Sequence, residues 1–227
     1  TTLEELWPTV LKQIEIAKKS LDGEMLVKDS DILGWCFVDW NLNLNKQASA
    51  QGILLYALSA AVKMAQTIGD ILVEEELAEL YCACRNAANE RLWDSKQGCY
   101  ISGKDRQISI ASQVWMVLGE AVTGEDARKL LMEIEQREEV EKMVTPYMYH
   151  NYIDALLHTG EKNRALRKLE TYWGGMLEQG ADTFWELYNP ENVNESPYGG
   201  TIVNSYCHAW SCGPAYFLRK FFKAEEE

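Results

Sequence analysis

The chain has 227 residues, 47% of them hydrophobic, with eight tryptophans and eleven tyrosines, enough for one domain with a sizeable core and far from the composition of a disordered segment. Thirty-five acidic residues stand against 22 basic ones, a formal charge of −13, and phosphate binding needs a basic surface, so nucleic acid and anionic membrane are excluded as expected partners and a neutral ligand is favoured. No apolar run of about 18 residues and no basic-then-apolar leader is apparent, so neither a membrane span nor an export signal is expected.

Helical periodicity runs almost end to end. Residues 3–21 place Leu3, Leu6, Val10, Ile14 and Ala17 on one stripe, with the helix proper expected to start at Pro8, where proline is tolerated. After an irregular stretch, "DSDILGWCFVDWNLN" (29–43), residues 48–69 are apolar around most of the circumference, as in a buried inner helix. Residues 74–93 return to an amphipathic pattern with acids in the first turn, where the helix dipole favours them. A loop, "WDSKQGCYISGKDRQ" (93–107), precedes helical patterns at 109–122 and 124–137. At 145–160 Thr145 is the expected N-cap, Pro146 the first helical residue and Gly160 the C-terminal cap. Residues 161–177 follow, then a long loop at 180–204 and a last helical pattern at 205–222. Strand patterns are nearly absent, and the chain reads as a single all-α domain over 1–227.

Apolar helices (48–69, 109–122, 145–160, 205–222) alternate with charged ones (74–93, 124–137, 161–177), the order expected of stacked hairpins with one helix inside and one outside. An open solenoid and a closed α/α toroid share this order. No tetratricopeptide, ankyrin or similar repeat occurs, and the irregular loops carry Trp35, Trp40, Trp93, Tyr100, Trp185, Tyr188 and Tyr198 beside carboxylates and amides. Flat rings that stack on sugar C–H faces, with polar groups that read hydroxyls, make a sugar pocket.

Within "GADTFWELYNP" (180–190) Glu186 follows Phe184 and Trp185. In a glycosidase one carboxylic acid protonates the leaving oxygen while a second carboxylate activates water or attacks the sugar; a loop glutamate that caps a helix or pairs with arginine is the plainer alternative. Asp39 in "FVDWN" is a second candidate, since a carboxylate among apolar neighbours needs partners; a sugar hydroxyl, an N-cap contact or a salt bridge would each serve. Asp29, Asp31 and Asp182 are weaker candidates. His208 and Cys212 would share one face of a helix, but zinc needs two further ligands, and His150 and His158 supply no H-E-x-x-H pattern, so no metal is expected. Six cysteines without zinc or disulfide spacing are expected to be reduced and mostly buried, and with the acidic charge they fit a bacterial cytoplasm or periplasm equally. No G-x-S-x-G, P-loop, Rossmann or kinase pattern occurs.

The passage "TPYMYHNYIDALLHTGEKNRALRKLETYWGGMLEQGADTFWE", followed by "SYCHAWSCGPAYFL", resembles the C-terminal part of the catalytic domain of the α-L-rhamnosidase family of glycoside hydrolases. The likeness is most specific over 145–218 and looser over 33–122, where "GWCFVDW" is similar to the family's Asp-Trp segment. It implies a six-hairpin α/α toroid, an inverting mechanism without a cofactor and a rhamnose-containing glycoside as substrate. It also implies roles by position: Glu186 as general base, His208 near the rhamnose hydroxyls, Asp39 and Trp40 lining the sugar subsite, and Trp173 and Trp185 as aromatics near the pocket. The family's general acid lies on an acidic, arginine-containing motif upstream of the Asp-Trp segment, and nothing in 1–33 resembles it. A full toroid needs on the order of 300 residues. The chain is therefore expected to be a C-terminal portion that lacks the acid, completed by a preceding part or by self-association. Another α/α-toroid sugar enzyme, such as an epimerase, and a catalytically silent carbohydrate-binding or helical scaffold protein are the alternatives; the scaffold predicts no effect of Glu186→Gln.

Overall fold

The computed structural model describes residues 1–30 and 34–222. Among them are eight α-helices and one short hairpin: α1 (Thr2–Lys18), α2 (Gln47–Ile68), α3 (Ile71–Arg91), β1 (Trp93–Asp94), β2 (Cys99–Tyr100), α4 (Ile110–Leu118), α5 (Gly124–Ile134), α6 (Pro146–His158), α7 (Lys162–Glu178) and α8 (Gly213–Phe221). Turns of 3-10 helix at Thr201–Val203 and Ala209–Ser211 precede α8. The all-α expectation holds, and the helices fall into two compact units, Thr1–Val38 with Asn45–Glu141, and Asp39–Leu44 with Lys142–Glu227.

In the first unit α1 begins at Thr2, a turn and a half before the expected start at Pro8, because the Thr1 side chain accepts from the Glu4 N–H and makes a capping box. Pro8 is accommodated inside the helix, where it forgoes the bond to the Glu4 carbonyl. The Trp7 indole donates to Asp70 Oδ2 at 3.2 Å, and Asp70 also caps α3 by accepting from Val73 N, so one carboxylate ties α1 to the turn between α2 and α3. By length and composition α2 is apolar enough to cross a bilayer, against the expectation of no such run. Its Leu54, Leu55, Leu58 and Ala61 are buried, and it packs on both α3 and α4, so here it is the core helix of the unit. The nine residues of α4 are all buried, whereas α5 buries only Ala127, Leu130, Leu131 and Ile134, which is the expected alternation of inner and outer helices.

Close approach of α2 and α4 depends on Gly52 and Gly119. A Cβ on Gly52 would lie 2.5 Å from the Trp115 carbonyl carbon and 2.8 Å from the Met116 nitrogen, and one on Gly119 would lie 2.6 Å from the Gly52 oxygen. Backbone cannot step aside as a flexible side chain can. Gly52→Ala should therefore force the helices apart and cost about 1–3 kcal/mol or more, read as a lowered urea midpoint; an unchanged midpoint would mean that the crossing is looser than it stands. Buried amides fasten the loops around these helices. Gln51 accepts from Val27 N and donates to the Met25 and Cys84 carbonyls, and Gln113 accepts from Tyr100 N and donates to the Tyr100 and Ser109 carbonyls.

In the second unit α6 is capped as expected, the Thr145 side chain accepting from Met148 N with Pro146 behind it. It packs on α7 and α8, with Tyr152, Ile153, Leu156 and Phe217 buried. The helix expected over 205–222 starts only at Gly213, with Pro214 in its first turn. The residues before it are extended at His208 and turn through 3-10 geometry at Ala209–Ser211, because their backbone groups pair with another segment. His208 and Cys212 thus share no helix face. The thiols are also less buried than expected: Cys84 and Cys99 are buried, Cys36 is half-buried, and Cys82, Cys207 and Cys212 are exposed, the last two because they lie in this irregular stretch.

Candidate active site

Asp39 is 3% exposed. Its Oδ1 accepts from Trp40 N at 2.9 Å, Thr145 N at 3.0 Å and Thr145 Oγ1 at 2.6 Å, and its Oδ2 from Val144 N at 2.9 Å. This one carboxylate holds the two backbone N–H groups that lead into α6 and the hydroxyl of its N-cap, Thr145, and in turn fixes the backbone of Trp40. Burial pushes the Asp39 carboxyl up to about 6, against the hydrogen bonds from Thr145, Val144 and Trp40 that hold it down.

Glu186 sits on a run paired with residues 205–208. Glu186 N donates to the Ser205 carbonyl at 2.8 Å, and His208 N donates to the Phe184 carbonyl at 2.8 Å. This pairing takes the backbone groups that a helix at 205 would have used. Three further contacts brace it: the Trp210 indole donates to the Glu186 carbonyl at 2.9 Å, the Ser211 hydroxyl to the Trp185 carbonyl, and the Trp173 indole to the Ser211 carbonyl at 2.9 Å. The Glu186 side chain is 6% exposed, and each oxygen accepts from the protein: Oε1 from the Tyr198 hydroxyl at 2.5 Å, and Oε2 from Ser205 N at 3.1 Å. The carboxylate beside it raises the Tyr198 phenol above its ordinary value, so the proton stays on the tyrosine and the bond runs from phenol to carboxylate. The Tyr198 ring meets Trp40 edge-on at 5.7 Å, which joins the Asp-Trp segment to Glu186 through one side chain.

Asp39, Trp40, Trp173, Trp185, Glu186 and His208 all lie in the second unit. Trp40, Trp185 and His208 are partly exposed, and Trp173 is buried under the Ser211 segment. The Trp185 ring packs against Tyr206 and Tyr188, and the His208 ring stands edge-on to Trp210 at 4.3 Å. A cavity of about 210 Å³ opens on the Trp185 side, walled by Gln179, Asn194, Asn204 and Tyr206 among others. Of the other loop aromatics, Tyr100 and Tyr188 are buried while Trp35 is 85% exposed. Among the weaker candidates, Asp29 accepts from Ser30 N, Asn45 Nδ2 and Lys104 N and ties loops together, Asp182 lies beside the Thr183 hydroxyl, and Asp31 is outside the described residues. Sequence reasoning missed Tyr198 and Ser205 as partners of Glu186, since nothing in the spacing says which loop tyrosine or which backbone N–H meets the carboxylate.

Three solved structures are similar to this chain. A rhamnosidase from Klebsiella oxytoca with rhamnose bound is 43% identical, with a TM-score of 0.92 over 96% of this chain and 42% of its own. The GH78 family rhamnosidase of Bacillus sp. GL1 is 24% identical, with a TM-score of 0.81 over 96% of this chain and 24% of its own. Streptomyces avermitilis alpha-L-rhamnosidase complexed with L-rhamnose is 18% identical, with a TM-score of 0.66 over 95% and 21%; the last two establish the fold alone. The chain thus spans less than half the length of each of these solved chains. No curated protein matches it. The bacterial alpha-L-rhamnosidase 6 hairpin glycosidase domain matches residues 1–221, so the chain belongs to that family and its helical hairpins are those of an α/α toroid.

Proposed function

We propose that this chain supplies the water-activating part of an α-L-rhamnosidase active site, in an enzyme that hydrolyses terminal α-L-rhamnosides with inversion. The observation that carries the reading is the Glu186 carboxylate, set among aromatics and held by one donor on each oxygen, with no salt bridge to it among the described residues. In the reaction Glu186 takes a proton from water as the water oxygen bonds to the anomeric carbon, the bond from that carbon to the leaving oxygen breaks, and a separate general acid gives that oxygen a proton. The acid comes from a preceding part of the catalytic domain, and both units of this chain belong to that one domain. Trp40, Trp185 and His208 contact the sugar, Trp173 backs the site, and Asp39 holds Trp40 and the start of α6 in place. The reading draws support from family membership and from the rhamnose held by the Klebsiella oxytoca relative.

The test is hydrolysis of an aryl α-L-rhamnoside by this chain and by a longer protein that includes the preceding part of the domain, with the first-formed anomer of rhamnose followed by NMR. Turnover in the longer protein alone, giving the β anomer first, is the expected result. Absence of turnover in both would turn the reading toward a sugar-binding scaffold, and an α anomer first would remove the inverting mechanism.

A further inference from the structure

Resting on the reading of Glu186 as general base, we propose that Tyr198 is a positioning residue for it, its phenol fixing the carboxylate in the orientation from which it takes the proton of the attacking water. The terminal torsion of a glutamate is broad, so one donor leaves the carboxylate free to swing. Ser205 N holds Oε2 at 3.1 Å and the Tyr198 hydroxyl holds Oε1 at 2.5 Å, and the pair sets the plane. A carboxylate offers about four lone-pair sites; two are taken here and two are left for water.

Tyr198 is itself held for this task. Its ring meets Trp40 at 5.7 Å, its N–H donates to Ser196 Oγ at 3.2 Å, and Gly199, at φ 83°, turns the chain immediately after it in a way a residue with a side chain rarely can. At 45% exposure the ring adds little to the core. So exposed a residue, with its hydroxyl on the candidate base and its ring on the Asp-Trp segment, is placed for orientation more than for stability.

The experiment measures steady-state kinetics of a protein carrying the whole catalytic domain, on an aryl α-L-rhamnoside, for Tyr198→Phe, Glu186→Gln and the double variant. Tyr198→Phe is expected to lower kcat about ten- to a hundredfold, the scale of losing orientation at a reacting group, with KM within about twofold. In the Glu186→Gln background the same change should leave the residual kcat unaltered, because a positioning residue has nothing left to position. A raised KM at constant kcat would make Tyr198 a sugar contact; an equal loss in both backgrounds would make its effect independent of Glu186; no loss at all would leave it without a role. Each of these overturns the proposal. A fully active Glu186→Gln variant would instead overturn the general-base reading, a separate result.

Discussion

Glu186→Gln is expected to lower kcat of the complete catalytic domain by about 10²–10⁴, the usual contribution of a positioned general base, while the thermal midpoint stays level or rises. The isosteric amide keeps its carbonyl oxygen for the Ser205 N–H, and its NH₂ can donate to the Tyr198 hydroxyl, which accepts as readily as it donates. What it loses is the capacity to take a proton. A charged carboxylate buried to 6% exposure with no salt bridge among the described residues pays a solvation cost that the neutral amide avoids, hence the level or rising midpoint. Stability retained while activity is lost is the signature of a group kept for function. If Glu186 were only a structural cap, the same substitution would lower the midpoint and leave kinetics alone. Calorimetry and rate measurements on one preparation separate the two.

The course of the chain was legible in the sequence where the local signal and the tertiary structure agree. Thr145, Pro146 and Gly160 bracket α6 because capping chemistry is local, and the alternation of apolar and charged helices follows from which face each buries. Pro8 reads as a boundary and sets the expected start of α1 too late, whereas Thr1 and Glu4 close a capping box ahead of it. Periodicity starts the last helix eight residues too early for a different reason: 205–208 pair with 184–186, and a contact between segments about twenty residues apart leaves no mark on the periodicity of either. The same limit applies at the site. Glu186 stood out by its aromatic neighbours, but its partnership with Tyr198 is a matter of loop geometry. Asp39 stood out as a buried acid, while the four donors that hold it became visible only in the fold.

Asp39→Ala is expected to destabilise the protein by roughly 3–5 kcal/mol near pH 5, since each buried donor left without an acceptor costs about 1–3 kcal/mol. Three backbone N–H groups, of Trp40, Val144 and Thr145, and the Thr145 hydroxyl lose their common acceptor, and the methyl that replaces the carboxylate offers none. The loss should depend on pH in a definite direction. Folding raises the Asp39 carboxyl to about 6 from an ordinary value near 3.9, so between about 4 and about 6 the folded chain keeps a proton that the unfolded chain has released. The stability this group contributes is therefore full below about 4 and is lost as pH rises through about 6, by roughly 3 kcal/mol. Alanine has no such term, so the gap between the wild type and Asp39→Ala in urea unfolding should be wider at pH 5 than at pH 7.5, and widest below about pH 4. A gap that widens with pH would mean that the four donors outweigh burial and that the charged form is the one the fold prefers. Because the Asp39 carboxylate also fixes Trp40, on which the Tyr198 ring rests, the variant should in addition lose part of its kcat at temperatures where it is still folded, linking the start of α6 to the orientation of Glu186.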